Sequence, residues 1–131
     1  LNTIATGLIG AMAQRLVRAI CQKCRVSRPI TEVEHRLLTD HLGPEGATNE
    51  LFIGKGCDHC NHTGYHGRLP IMEVWRNNRR ITDLIAKDAS SEVVLTEMRN
   101  DSFKTVFEFG LHMALNGLTT IKEVERCTAG Q

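Results

Sequence analysis

The sequence lacks an excess of charge of either sign. Lys and Arg together number 16, Asp and Glu number 15, and the formal net charge is +1. A nearly neutral chain gives no support to a nucleic-acid or acidic-membrane partner. Aromatic residues make up only 5% of the chain, so the mixed aromatic and basic surface of a single-strand binder is missing as well. We therefore expect no nucleic-acid partner.

Long hydrophobic runs are also missing from the sequence. No apolar run reaches the roughly 18 residues of a membrane-spanning helix. The apolar N-terminal stretch is interrupted by Asn2, Thr3 and Gln14, and it lacks the basic start and the cleavage site of a signal peptide. The chain begins with Leu1 rather than Met, which suggests a piece of a longer protein.

The sequence also lacks recognisable catalytic motifs. The segment Gly54-Lys55-Gly56 lacks both the spacing of a phosphate-binding loop and the Ser or Thr that would bind Mg²⁺. The sequence contains no nucleophile elbow, no H-E-x-x-H motif and no convincing pair of carboxylates. We expect that this chain alone is not catalytic and hydrolyses nothing, ATP included.

Four of the five cysteines form two C-x-x-C pairs, Cys21 with Cys24 and Cys57 with Cys60. Two such pairs can surround one Zn²⁺ with four thiolates at roughly 2.3 Å, which leaves no open position on the metal. The sequence therefore predicts a structural zinc site. Two disulfides or four unrelated buried thiols are the alternatives, although this cysteine usage fits a reducing cytoplasm. The fifth cysteine, Cys127, is expected to be a small buried residue near a helix end.

Basic residues flank both cysteine pairs in the sequence. Four thiolates on Zn²⁺ would carry a net charge of −2, which Lys23, Arg25, Lys55 and His59 could offset together with backbone N–H groups. An equally weighted interpretation is that these side chains form solvated surface. His62 could also replace a cysteine as a ligand, but four sulfur atoms make this unnecessary.

Hydrophobic periodicity and capping motifs predict a mostly helical chain with two short strands. In order, the predicted elements are a helix over residues 3–20, an extended or turn segment after Cys24, a helix from the capping box Thr31-x-x-Glu34 to about residue 42, strands over residues 51–53 and 68–75, a helix ending near Lys87, a helix capped by Ser90 or Ser91, a helix closed by Gly117, and a last helix opened by the capping box Thr120-x-x-Glu123.

Several strings together resemble the C-terminal part of the type II secretion and type IV pilus assembly ATPases, the GspE/PulE family. The resemblance covers nearly the whole chain in the right order. It rests on Ala13-Gln14-Arg15-Leu16-Val17-Arg18 before the first cysteine pair, on the run from Gly56-Cys57 through Gly64-Tyr65-His66-Gly67-Arg68, on Ile71-x-Glu73, and on the run from Gly117-Leu118-Thr119-Thr120 to Arg126. Departures are His66 where the family usually has Arg, Leu69-Pro70 in place of Thr-Gly, and residues 76–110, which match only in helical pattern.

The resemblance implies an α+β, mostly helical fold at the C-terminal end of a RecA-like ATPase. Residues 1–20 would be the last helix of the ATPase core, 21–67 the four-Cys zinc subdomain, 68–76 a core strand and 77–131 a C-terminal helical bundle. The parent would be a cytoplasmic hexamer that drives pilus or pseudopilus assembly and is held at the inner membrane by platform proteins. Its ATP- and Mg²⁺-binding motifs would lie upstream of Leu1.

The resemblance also gives Arg68 a role, because an Arg at this position reaches nucleotide phosphate in the family. A guanidinium on a glycine-flanked loop suits a bidentate phosphate contact, although Arg68 could instead pair with a surface carboxylate. Two other functions remain open: a free-standing zinc-stabilised interaction module, and a zinc-ribbon nucleic-acid binder that the charge disfavours. A phosphate-binding loop encoded upstream of Leu1 would favour the ATPase.

Overall fold

A computed structural model shows a mixed α/β fold. It describes residues 2–129, so Leu1, Gly130 and Gln131, which fall in the first and last predicted segments, lie outside the described residues. The elements are α1 Asn2–Gly7, β1 Gly10–Ile20, β2 Arg25–Pro29, α2 Glu32–Leu42, β3 Glu50–Gly54, β4 Tyr65–Arg76, α3 Arg79–Ala86, α4 Ser91–Asn100, α5 Val106–Leu115 and α6 Ile121–Thr128, with 3₁₀ turns at Gly43–Gly46 and Asp58–Cys60. Within residues 2–129, no helix combines the length and the apolar character needed to cross a bilayer.

The prediction of one helix over residues 3–20 is wrong, because the segment contains a short helix followed by a long strand. Helix α1 ends at Gly7, and an eleven-residue strand, β1, follows from Gly10. Strand β1 pairs with β4, a partner distant in the sequence. A Cβ atom on Gly10 would lie 2.3 Å from the backbone oxygen of Trp75, so this close approach requires glycine.

Side-chain exposure along β1 does not follow a helical period. Met12 and Leu16 are 66% and 48% exposed, whereas Val17 and Ile20 are buried. Apolar residues are frequent enough in this segment to fit a 3.6-residue period and a strand equally well, and the partner strand decides between them.

The remaining predicted elements are present, with changed bounds. Thr31 caps α2 with both reciprocal bonds of its capping box to Glu34. The segment after Cys24, predicted as extended or turn, is strand β2, which pairs antiparallel with β3 in a register running from Arg25↔Gly54 to Pro29↔Glu50. Strand β4 begins at Tyr65, three residues before the predicted start.

Contacts divide the chain into two compact units. The first contains Leu1–Ala13 and Met72–Thr105, and the second contains Gln14–Ile71 and Val106–Gln131. Helices α3 and α4 belong to the first unit and α5 and α6 to the second, so the helices predicted as one bundle over residues 77–131 are divided. The assignment of the four predicted segments to parts of an ATPase stays a prediction.

Each unit has its own local contacts. In the first, the Asn77 amide donates to the backbone oxygens of Ala5 and Leu8, which fixes the turn before α3. The second holds a buried apolar cluster to which α5 and α6 both contribute, and these helices pack so closely that a Cβ on Gly110 would lie 2.6 Å from the Val124 side chain. The members of that cluster are Val17, Leu38, Leu51, Ile71, Val106, Leu111, Ala114, Ile121 and Val124.

Glu123 is a buried carboxylate in the second unit, and its side chain is 1% exposed. Thr120 accepts from the backbone N–H of Glu123, but the capping box predicted there is only half formed. The carboxylate accepts instead from the backbone N–H and guanidinium of Arg18 and from two nitrogens of Arg126, all at 2.9 Å. It thereby ties β1 to α6.

We expect Glu123→Gln to destabilise the protein by about 1–3 kcal/mol at neutral pH, because it leaves two guanidinium groups without their carboxylate. The bonds from Arg126 outweigh the opposing effect of burial and, with those from Arg18, lower the pKa of Glu123 from 4.5 to about 2. Because the folded-state pKa is depressed, this stabilisation is present above pH 4.5 and is lost as the pH falls towards 2.

Urea unfolding of the wild type and of Glu123→Gln between pH 7 and pH 2.5 measures this contribution. The difference in unfolding free energy should shrink below about pH 4.5. Glu125→Gln, at an exposed position of the same helix, is the matched control and should change stability little. A difference for Glu123→Gln that stays constant with pH would contradict the ion-pair account.

Candidate metal centre

The four predicted ligands lie together in the second unit. The Sγ atoms of Cys21, Cys24, Cys57 and Cys60 all lie within 4.8 Å of one another. Three of the separations are 3.8 Å (Cys21 to Cys57), 3.9 Å (Cys24 to Cys60) and 3.8 Å (Cys57 to Cys60). The edge of a tetrahedron with metal–sulfur bonds of 2.3 Å is about 3.8 Å, so the cluster has the dimensions of a tetrahedral thiolate site. All four are free cysteines in the structure.

The strands bring the two cysteine pairs together. Arg25 and Gly54 are partners at one end of the β2–β3 ladder, and Cys24 lies immediately before this end. The ladder is extended by one bond, from the backbone N–H of Lys55 to the oxygen of Cys24, at 3.1 Å. The second pair then follows in the 3₁₀ turn Asp58–Cys60. The end of the β2–β3 ladder therefore sets the distance between the two pairs.

Two glycines beside the cluster have left-handed backbone conformations that other residues rarely adopt. Gly56 has φ +99° and Gly64 has φ +82°. A Cβ on Gly64 would also lie 2.5 Å from the backbone oxygen of Gly54. Both glycines turn their N–H groups onto sulfur: Gly56 donates to Cys24 at 3.3 Å and Gly64 to Cys60 at 3.2 Å. Their conformations thus supply donors to the cluster.

These donors give the sulfur atoms different acidities. Burial raises the pKa of Cys24 to about 11, and its one N–H bond, from Gly56, offsets this only in part. Burial also opposes ionisation of Cys60, but N–H groups of Cys57 and Gly64 stabilise its thiolate and lower its pKa to about 6. Cys60 therefore ionises more readily than Cys24, and N–H···S bonds of this kind stabilise metal-bound thiolates as well.

Two of the flanking basic residues, Arg25 and His59, contact groups other than the sulfur atoms. Arg25 donates to the backbone oxygen of Gly117 at 3.2 Å and lies over the ring of Phe52, so its guanidinium is used elsewhere. The ring centres of His59 and His66 lie 4.1 Å apart, and the rings are tilted by 38°. Burial, followed by the charges of His66 and Lys23, lowers the pKa of His59. Of the two predicted sources of charge compensation, backbone N–H groups are the ones seen in contact with sulfur.

Two other residues discussed in the sequence analysis, His62 and Cys127, lie outside the four-Cys cluster. His62 is exposed, and its Nε2 atom lies 3.0 Å from a carboxylate oxygen of Asp58. Cys127 is half-buried at the end of α6 and donates to the backbone oxygen of Leu16 at 3.0 Å. Neither residue has a sulfur or nitrogen atom in the four-Cys group.

Arg68 lies on β4 and is exposed. Within residues 2–129 it forms no hydrogen bond or ion pair, so no surface carboxylate in this part of the chain pairs with it. It lines a surface pocket of about 530 Å³ together with Leu16, Arg18 and Arg126. The sequence patterns did not identify Arg18 and Arg126 as neighbours of Arg68. They placed Arg18 on a helix and gave the Glu123 carboxylate a local capping role, whereas in the structure both arginines bind that carboxylate. The phosphate role of Arg68 stays a prediction.

Comparison with known proteins identifies one family over most of the chain. The family described as Type II/IV secretion system protein matches residues 1–126. The Type II secretion system protein E of Aeromonas hydrophila is 34% identical over 125 residues, which is 95% of this chain and 24% of that protein. The Type IV pilus assembly ATPase PilB of Thermus thermophilus is 38% identical over 122 residues, which is 92% of this chain and 14% of that protein.

A second pilus protein gives a similar alignment. The Type IV pilus assembly ATPase PilB of Pseudomonas aeruginosa is 33% identical over 127 residues, which is 95% of this chain and 22% of that protein. The chain thus spans about a quarter or less of the length of these curated relatives. Because the family match extends over residues 1–126, the chain belongs to the Type II/IV secretion system protein family.

Proposed function

We propose that this chain is the C-terminal, zinc-binding portion of an ATPase that powers type II secretion or type IV pilus assembly. The observation that carries the proposal is a four-Cys cluster of tetrahedral dimensions in a member of a family whose relatives are named as secretion proteins and pilus assembly ATPases. ATP and Mg²⁺ would be bound by the rest of the parent protein, because no phosphate-binding loop occurs among the 131 residues.

The zinc would be structural. Four thiolates fill a tetrahedral site, so no position remains for a water molecule or a substrate. Cys21 directly follows β1, and Cys60 lies five residues before β4. The metal would therefore hold the end of β1 and the loop before β4 in a fixed geometry, with N–H groups of Gly56, Cys57 and Gly64 stabilising the thiolates.

Arg68 is the residue proposed to contact nucleotide phosphate in a hexameric parent. It is exposed, it has no carboxylate partner within residues 2–129, and it follows Gly67, whose φ is +82°. A guanidinium placed in this way can donate two hydrogen bonds to phosphate oxygens. The parent would be cytoplasmic and associated with the inner membrane through platform proteins.

We expect one Zn²⁺ per chain in the purified protein, measured by mass spectrometry of the metal. Cys57→Ser should lose most of the zinc, because serine is a poor zinc ligand, whereas Cys127→Ser should keep it. A structural zinc contributes an apparent ~10–16 kcal/mol of folding free energy in small modules. Here the apolar cluster shares that contribution, so hydrogen exchange after chelation should rise in residues 21–60 before the rest of the chain.

A folded wild-type chain that is reduced and contains no metal would contradict the zinc site. Equal zinc loss in Cys127→Ser and Cys57→Ser would also contradict it, because Cys127 lies outside the cluster.

In the full-length parent, we expect Arg68→Ala to lower ATP turnover strongly while zinc content and melting temperature stay the same. An arginine that stabilises the transferring phosphoryl group is worth on the order of 10³-fold or more in rate. Arg68→Lys should restore turnover only in part, since an ammonium group cannot reproduce the planar fork.

Steady-state ATPase assays on purified hexamers measure this effect. Arg36→Ala is the matched control, because Arg36 is an exposed arginine of α2 in a surface pair with Glu32. Full turnover by Arg68→Ala would show that the phosphate role is wrong.

A further inference from the structure

Three guanidinium groups line one surface pocket of the second unit. The pocket has a volume of about 530 Å³, and its lining consists of Arg18, Arg68, Arg126 and Leu16. Among residues 2–129, the one carboxylate bonded to these arginines is Glu123, which is 1% exposed. Three positive charges and one negative charge leave a formal charge of +2 at the pocket.

Two of the guanidinium groups are held in fixed orientations by Glu123. Arg126 donates through Nε and Nη2 at 2.9 Å, and Arg18 donates through Nη2 at 2.9 Å. Since a guanidinium carries five N–H donors, most donors on each group remain available to a ligand. The carboxylate thus fixes both planes and uses only part of their hydrogen-bonding capacity.

Other contacts fix Arg18 independently of its ion pair. Its guanidinium carbon lies 4.2 Å from the centre of the Tyr65 ring, and the Tyr65 hydroxyl is 2.9 Å from the hydroxyl of Thr120. The backbone oxygen of Arg18 accepts a bond from the Thr119 hydroxyl at 2.8 Å. Arg18 is therefore held by a stacking contact as well as by Glu123.

The charge at this pocket exceeds what a structural ion pair requires. A single arginine would neutralise Glu123, and a third, Arg68, has no carboxylate partner within residues 2–129. Like charges gathered in one place repel one another unless an anion joins them. Planar guanidinium groups suit the oxygens of phosphate, and a triphosphate concentrates several negative charges in a small volume.

We propose that Arg18, Arg68 and Arg126 form a single binding site for the polyphosphate group of a nucleotide, in which Glu123 is a positioning residue. The identity of the ligand rests on the proposed nucleotide role of Arg68, and the site extends that role to two further arginines. Arg18 and Arg126 donate to phosphate oxygens with the N–H groups that Glu123 leaves unused.

The test is an NMR titration of this chain with sodium tripolyphosphate at constant ionic strength. The Nε–H signals of Arg18, Arg68 and Arg126 should shift together along one saturable curve. Arg68→Gln should weaken the affinity about tenfold, which is typical of a lost charge-assisted bond, and it removes no intramolecular partner. Arg36→Gln, the matched surface control, should change the affinity by less than about twofold.

Glu123→Gln separates positioning from simple charge. This substitution raises the formal charge at the pocket to +3, so electrostatics alone would tighten tripolyphosphate binding. Loss of the fixed guanidinium geometry should instead weaken it, provided that the NMR spectrum shows a folded chain. Tighter binding by folded Glu123→Gln would overturn the positioning role.

Other outcomes would overturn the site itself. These are shifts at only one of the three arginines, an equal loss of affinity in Arg36→Gln, or tighter binding of a polyglutamate peptide than of tripolyphosphate, which would indicate an acidic protein segment as the ligand. If Arg68→Ala abolishes ATP turnover in the parent but the Arg18 and Arg126 signals do not shift with tripolyphosphate, the three-arginine site is wrong and the role of Arg68 stands. If all three signals shift but Arg68→Ala leaves parent turnover unchanged, only the catalytic role of Arg68 is wrong.

Discussion

Four sulfur atoms gathered within 4.8 Å are the constraint on which the second unit depends. Thiolates at this distance repel one another strongly unless a cation and hydrogen-bond donors stabilise them. The surrounding backbone meets that requirement with N–H groups of Gly56, Cys57 and Gly64 directed at sulfur. Left-handed conformations at both glycines make this possible, and the β2–β3 ladder brings the two cysteine pairs to one place.

Glu123 provides the second long-range connection in the same unit. It joins β1 to α6 through Arg18 and Arg126, so residues more than a hundred positions apart share one buried carboxylate. The two connections are related through β1, because Arg18 lies three residues before Cys21 in the chain. Each of these cross-links fixes side chains that a loop alone would leave variable.

Sequence patterns predicted the parts of this structure that depend on local chemistry. The C-x-x-C spacing predicted the sulfur cluster, and the Thr31 capping box predicted the start of α2. The patterns failed where a distant partner decides the conformation. Residues 10–20 form a strand because β4 pairs with them, and no property of the segment itself reveals that partner. Glu123 also fitted a local capping role, but two arginines compete successfully for its carboxylate.

The central claim is that the four-Cys cluster is a closed tetrahedral zinc site. X-ray absorption at the zinc edge of the purified chain tests it most directly, because the spectrum reports both the ligand elements and their distances. We expect four sulfur atoms at about 2.3 Å and no lighter ligand. A nitrogen or oxygen atom at about 2.0 Å would contradict it, because such a shell would mean that a histidine or a water molecule has replaced one of the cysteines.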